Sequence, residues 1–275
     1  MKSAFHSVGL PDVPILALID RVADAGYRGI ELNAETLPWA GPHVTPDTPP
    51  QERRTIRTAC AARGLAIPAI GAHVEMVGES AEARQAAIRF VEGCIDLASD
   101  LACPFVHVLS GPQASGASYD ASWRWFADAI ARCASHADGR GVGLGVEAIA
   151  GHLFHATDDY HRLFHDLPGS TIFVNFDPSH LEVQGENPAR VPDELGDRIR
   201  HVHLKDGKGR FPDFAFPPLG QGTIDFHDLA GRLRTAGFNG FASVEYEAQV
   251  YGYALDEDTI LKGGEAFCNS LEIDR

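Results

Sequence analysis

The sequence predicts an α/β protein folded as a single (β/α)8 barrel, and three observations carry that reading. Short β-branched runs alternate with longer amphipathic helical patterns along the chain. Eight strand runs occur in 275 residues, roughly 34 residues per strand–helix unit, which suits a barrel. No Gly-rich phosphate fingerprint follows the first strand, and this argues against the rival open, doubly wound sheet.

The first strand is expected over Ala4–Val8. The helix behind it carries Ile15, Leu18, Ile19, Val22 and Ala23, a stripe along one helical face, and stops at Gly26. Gly29–Asn33 is the second strand. The Pro-rich stretch Pro38–Pro50 reads as a long loop before a helix over Gln51–Arg63, which Gly64 closes. Ala66–His73 with Glu82–Ser99, Phe105–Ser110 with Trp123–Ala137, and Gly143–Ile149 with Asp158–Leu167 make three further units. Thr171–Asp177 is the sixth strand, followed by a weak helical segment at Pro188–Leu195. After the seventh strand, Ile199–Lys205, the 20 residues Asp206–Asp225 combine Gly, Pro and aromatic residues without a helical period. That composition predicts a long loop serving as an active-site lid. A helix over Asp225–Ala236, the strand Gly240–Glu247 and a helix over Glu257–Leu271 complete the chain. No linker interrupts it, so one domain is expected over residues 1–275.

Charge narrows the function. With 38 acidic against 23 basic side chains the net charge is −15, which repels nucleic-acid backbones and anionic lipid but suits a bound cation. No apolar run approaches the roughly 18–20 residues that span a bilayer, and the opening MKSAFHSVGLPDVP lacks the charge and apolar pattern of a secretion signal. Five scattered cysteines without a C-x-x-C pair fit reduced, buried thiols in a cytoplasmic protein.

Strands alternate their faces, so each can be sorted. In residues 142–147 the helix-facing set is Val142, Leu144 and Val146, which leaves Gly143, Gly145 and Glu147 inward. The same sorting sends Phe173, Asn175 and Asp177 inward, then His201, His203 and Lys205, then Ser243 and Glu245. Four successive strands therefore end near an inward polar residue: Glu147, Asp177, His203 and Glu245, separated by 30, 26 and 42 residues. The carboxyl ends of barrel strands converge on one mouth. Three carboxylates gathered there repel one another unless a cation sits among them. Three oxygen donors and one imidazole suit a single divalent cation, Mn²⁺ foremost, with Mg²⁺, Co²⁺ or Zn²⁺ as alternatives.

The segments VEAI (Glu147), NFDPSH (Asp177 to His180), HVHLKD (His203 to Asp206), LGQGTIDF (Leu219 to Phe226) and SVEYE (Glu245) resemble the xylose isomerase-like TIM barrels. GYRGIELN at the second strand is similar to that superfamily's common opening, and Gln221 stands where many relatives carry Glu. The superfamily includes sugar isomerases and epimerases, inosose dehydratases and endonuclease-IV-type enzymes. The resemblance implies that Glu147, Asp177, His203 and Glu245 hold the metal, and that Glu147 and Glu245 also act as acid and base on opposite faces of the substrate. His180 is then a substrate or metal-water partner.

Lys205 is placed either to neutralise a developing oxyanion or to pair with a carboxylate such as Glu182. Glu31, Asn33, His73 and His107, at the ends of the second, third and fourth strands, are candidate hydroxyl binders. On the lid, Lys208 or Arg210 can reach substrate oxygens, while Trp39 and Phe214 can wall the pocket. The expected activity is a metal-dependent isomerase or epimerase acting on a sugar or keto-polyol through an enediolate. The alternative is a lyase on the same site, of the inosose, 3-dehydroshikimate or 3-keto glycoside type. Family analogy also implies a homo-oligomer, a dimer.

Overall fold

The structure is a computed structural model and describes residues 1–274. Eight parallel strands close into a barrel: β1 (Lys2–His6), β2 (Gly29–Asn33), β3 (Ile70–Gly71), β4 (Phe105–Val108), β5 (Gly143–Glu147), β6 (Ile172–Phe176), β7 (Ile199–Leu204) and β10 (Phe241–Val244). The last strand pairs with both β7 and β1, with Lys2 opposite Phe241, and this pairing closes the ring. A small antiparallel hairpin, β8 (Lys208–Arg210) and β9 (Asp213–Ala215), stands apart from the barrel, inside the expected lid.

The helices form the outer layer: α1 (Ile15–Ala25), α2 (Pro50–Ala62), α3 (Ala81–Leu101), α4 (Tyr119–Arg140), α5 (Thr157–Asp166), α6 (Pro178–Gln184), α7 (Arg190–Leu195), α8 (Phe226–Thr235) and α9 (Glu257–Ser270). Gly26 ends α1 in the left-handed region, at φ 105°, which a glycine adopts without steric cost. The hydroxyls of Ser80 and Ser118 accept hydrogen bonds from the N–H groups of Ala83 and Ala121, so α3 and α4 start before their apolar stripes do.

Strand alternation holds as read from the sequence. Leu144, Val146, Val174 and Val202 are buried in the layer between strands and helices, and polar side chains project inward. Below the mouth the interior is filled by Phe105 and Phe173. A Cβ at Gly145 would lie 2.2 Å from the Phe105 ring, so that glycine makes room for the floor of the site.

Three expectations change in detail. The first strand begins two residues earlier, and residues 7–9 turn into a single 3₁₀ turn, which makes His6 its last residue. The third strand shortens to Ile70–Gly71, because Pro68 has no N–H for the ladder; Leu32 N–H still reaches the Ala69 carbonyl at 3.1 Å. A seven-residue helix, α6, stands where no helix was expected. Its start signal was in the sequence: Asp177 as cap and Pro178 at the first helical position.

Candidate metal centre and active site

Asp177 divides its two oxygens between folding and function. Oδ1 accepts hydrogen bonds from Ser179 N (2.8 Å) and Ser179 Oγ (2.7 Å), which caps α6. Oδ2 is left facing the barrel mouth. There it meets Glu147 from the end of β5, His203 from β7 and Glu245 from just beyond β10. One donor atom from each of these four buried residues lies within 4.8 Å of the others. Asp177 Oδ2, His203 Nδ1 and Glu245 Oε2 are buried and make no hydrogen bond, although His203 Nδ1 stands 2.8 Å from Glu245 Oε2. Three buried ligand atoms facing one point, with one ammonium (Lys205) against three carboxylates, fit a divalent cation, because buried carboxylates need compensating charge.

The electrostatics fit the same reading. Burial works against the charged form of Glu147, yet His203, His107 and His73 hold its carboxyl well below the usual range. Burial likewise opposes ionisation of Glu245, but Lys205 and His203 outweigh it and keep that carboxyl low. Asp177 goes the other way: burial raises it, and the charges of Glu147 and Glu245 add to the rise against the pull of Lys205. One carboxylate of the three is thus left under-compensated, as expected where a cation is the missing partner.

Lys205 Nζ sits 2.9 Å from Asp177 Oδ2, 3.2 Å from Glu245 Oε2 and 3.4 Å from Glu247 Oε2. Burial disfavours its charge, but these carboxylates raise its pKa well above the ordinary value. Glu182 is not its partner; that carboxylate binds Thr223 Oγ1 at 2.8 Å and faces Arg210. His180 Nε2 lies 3.2 Å from Lys205 Nζ, and its Nδ1 accepts from the Ala150 N–H at 3.3 Å. Burial first, then the Lys205 charge, push its pKa down to about 3, so His180 is a neutral imidazole.

Four other candidates lie within the barrel or at its mouth, and two do not. His73 Nε2 is 3.3 Å from Glu147 Oε2 and 2.9 Å from His107 Nδ1, so both imidazoles border the cluster. Glu31 lies beneath the cluster, fully buried, facing His107 (2.6 Å), His201 (2.8 Å), His203 (3.2 Å) and His6 (3.3 Å). A carboxylate occupied by four imidazoles supports the site from below and is not open to a hydroxyl. Asn33 is likewise consumed by backbone, bonding Glu35 and Gly41. Arg210 points away on the outer side of the lid, with 61% of its side chain exposed, and bonds the Glu182 carbonyl. Lys208 is exposed too.

The lid is a built element. Asp206 is buried, and its carboxylate accepts hydrogen bonds from the N–H groups of Gly207 (2.9 Å), Gly220 (3.0 Å) and Gly222 (2.8 Å). A Cβ at Gly222 would fall on that carboxylate, 2.1 Å from Oδ1, so glycine is required there. The anchored lid presses the buried ring of Phe216 edge-on to His180, centroids 4.9 Å apart, and 4.8 Å from Lys205 Nζ. Phe214 packs on Phe216 and Tyr251, as a wall of the rim.

Sequence reasoning gave no role to His6, Glu35, His152, Asn175, Glu247 or Phe216. His6, Asn175 and Glu247 share the inward strand phase, so a signal existed. Asn175 Nδ2 donates to Glu147 Oε2 at 2.6 Å. Glu35 Oε2 is 3.3 Å from His73 Nδ1, and His152 carries a buried, unpartnered Nδ1; both lie on loops, where periodicity says nothing.

Comparison with known proteins decides the family. Residues 19–267 match the family model described as xylose isomerase-like TIM barrel. The chain belongs to the xylose isomerase-like TIM barrel family. It is 23% identical over 258 residues to fructoselysine 3-epimerase of Shigella flexneri, covering 89% of this chain and 90% of the relative. It is 26% identical over 167 residues to inosose dehydratase of Clostridium beijerinckii, covering 53% of this chain and 55% of that one. Among solved structures, the IOLI protein with a bound zinc atom superposes with a TM-score of 0.79 at 17% identity, over 99% of this chain and 98% of that one. The named relatives of this family member are epimerases, isomerases and dehydratases, so enzyme activity is supported for it. Among the described residues, no helix is long and apolar enough to cross a membrane.

Proposed function

We propose that this family member is a divalent-metal-dependent isomerase or epimerase of a sugar or keto-polyol. One observation carries the reading: the order of donors around the barrel is Glu147, Asp177, His203, Glu245. The two glutamates thus stand at the two ends of the donor arc, placed to serve opposite faces of a substrate held between them. A bound divalent cation would polarise a substrate carbonyl and acidify the adjacent C–H. Glu147 or Glu245 then removes that proton, an enediolate results, and the other carboxylate returns a proton to the opposite face. Lys205, cationic at the mouth, stabilises charge developing on a substrate oxygen. His180, neutral and held at Nδ1 by the Ala150 N–H, carries its hydrogen on Nε2 and orients a hydroxyl. His73 and His107 limit the motion of the Glu147 carboxylate.

Three oxygen donors with one imidazole favour Mn²⁺, and Mg²⁺, Co²⁺ and Zn²⁺ suit the same set. Five buried free cysteines support a cytoplasmic location. The family analogy supports a dimer, which light scattering at micromolar concentration tests.

The alternative is elimination on the same site. Lys205 favours it, because a buried ammonium beside the donor arc can protonate a leaving β-hydroxyl. The deciding experiment is a panel of ketoses, inososes and 3-keto glycosides with added Mn²⁺, followed by NMR in D₂O. Deuterium entering next to the carbonyl with carbon–oxygen bonds intact supports isomerisation. Loss of water or of an aglycone supports the lyase, and no exchange in any member overturns both for those substrates.

A further inference from the structure

Beside the metal centre lies a cavity of about 190 Å³, between the lid, the residues that follow β10, and α9. Lys205, Glu245 and Glu247 line one part of it, so it borders the groups of the donor cluster. Phe216, Pro218, Leu219, Leu255 and Ile260 make the rest of its wall mainly apolar.

Two adjacent glycines of α9 differ in a way that points to this space. Gly264 is required by packing, since a Cβ there would lie 2.5 Å from the Tyr27 hydroxyl and 2.9 Å from Val244. Gly263 is exposed, and a Cβ there would meet nothing nearer than 4.0 Å. Glycine inside a helix is unfavourable, and no contact demands it at this position. Gly263 is one of the lining residues, so a side chain placed there would stand at the edge of the cavity.

A sugar's hydroxyls need hydrogen-bonding partners, and apart from Gln221 and Thr259 the wall between the charged groups and α9, formed by Phe216, Pro217, Pro218, Leu219, Leu255 and Ile260, is apolar. An apolar cavity of about 150 Å³ is large enough to take up benzene. An anionic group such as phosphate would meet the Glu245 carboxylate, and the one cation in the lining, Lys205, is already paired with Asp177 and Glu245. We propose that this cavity is a subsite for an apolar alkyl or aryl substituent, so that the substrate is a substituted keto sugar and not a free or phosphorylated one. The proposal rests on the keto-sugar reading above.

The test has an arm independent of turnover. Binding of 4-fluorobenzyl alcohol is measured by ¹⁹F NMR on the purified protein, on Gly263→Leu and on Leu219→Trp, with melting temperatures checking that each variant folds. Gly263→Leu sits at an exposed helical position and favours the helix. The expected result is binding by the parent, weakened at least about tenfold in both filled variants, as loss of an apolar pocket contact implies. An Asp177→Asn variant should bind the probe as the parent does. No binding by the parent, or equal binding by both filled variants, overturns the subsite.

The second arm compares methyl and phenyl 3-keto-β-D-glucosides with Mn²⁺. A lower KM for the phenyl compound, lost in Gly263→Leu, is the expected outcome. Equal KM values in the parent overturn the substituent role. If neither sugar reacts, the keto-glucoside reading fails, while the ¹⁹F result still decides whether the cavity takes an apolar group.

Discussion

His203 and Glu31 meet in the barrel interior, Nε2 to Oε1, at 3.2 Å, joining β7 to β2 beneath the proposed metal ligands. A carboxylate can only accept, so this contact assigns a hydrogen to Nε2 and turns Nδ1 toward Glu147, Asp177 and Glu245. Burial opposes protonation of His203, but Glu245, Glu31 and Glu147 raise its pKa well above the ordinary value. In the metal-free protein Nδ1 is therefore protonated near neutral pH, and a cation must displace that proton.

Metal binding near pH 7 is expected to release about one proton from this pair. Calorimetry of Mg²⁺ or Mn²⁺ binding in buffers of different ionisation enthalpy reads the number directly. Glu31→Ala should weaken metal affinity about 10–100-fold. It should also cost about 3–5 kcal/mol of stability, because four imidazoles lose their buried partner. Burial opposes the charge of Glu31, yet His6, His201 and His203 hold its pKa well below the usual value. Its contribution is thus present above the unfolded carboxylate pKa of about 4.5 and lost as the pH falls below it. A parent-minus-variant stability difference that stays flat on acidification would contradict this assignment.

Asp206 should govern the lid without touching the chemistry. Asp206→Ala removes the acceptor for Gly207, Gly220 and Gly222, three buried or half-buried N–H groups. Hydrogen exchange at these amides should speed up while exchange in β5 and β6 does not. KM for any substrate covered by Phe216 should rise more than kcat falls. Unchanged exchange at residues 220 and 222 would show that the turn holds itself.

Glu247 offers a pH signature of the metal-free protein. Burial raises its pKa from 4.5 to about 7, with Glu245 adding to the rise and Lys205 opposing it. Between these values the unfolded chain has released the proton while the folded protein keeps it. Stability therefore falls as pH rises from about 4.5 to about 7, and the contribution of the neutral form is complete only below the unfolded pKa. The side chain keeps 20% of its surface exposed, so solvent reduces the effect. Glu247→Gln should flatten that slope in denaturant titrations at several pH values; an unchanged slope assigns it to another group.

Phase along the strands made much of the site legible. Glu147, Asp177, His203 and Glu245 each end or follow a strand whose outward face is apolar, and a period of two puts such residues together at the mouth. The role of Glu31 was not legible. Its inward phase is the same as that of a hydroxyl binder, and only depth in the barrel, a property of the registers that run from β2 through β1 and β10 to β7, makes it a support. Arg210 illustrates the opposite limit. The lid composition announced a loop, but the hairpin of β8 and β9 sets which side chains face outward, and this depends on pairing with Asp213–Ala215 that no local pattern in a Gly/Pro-rich segment specifies. α6 was announced by Asp177 and Pro178, and seven residues are too few for a helical period to rise above the strand before it.

The roles of Glu147 and Glu245 can be separated from their ligation. Changing either to Gln keeps an amide oxygen able to bind the cation but removes the group that accepts a substrate proton. General acid–base groups contribute about 10²–10⁴-fold, so kcat should fall by that factor in each variant while metal content stays near the parent's. His180→Ala should also retain the metal and lose less, because its neutral ring orients and does not transfer. The two glutamates are not equivalent in their surroundings. Glu147 accepts from Asn175 and is flanked by His73, whereas Glu245 is paired with Lys205. One Gln variant should therefore still exchange the substrate C–H with D₂O while failing to complete turnover, and that variant marks the face whose carboxylate returns the proton. If both variants remain within about threefold of the parent at saturating metal, far short of the loss expected for a proton carrier, the two-carboxylate scheme is wrong.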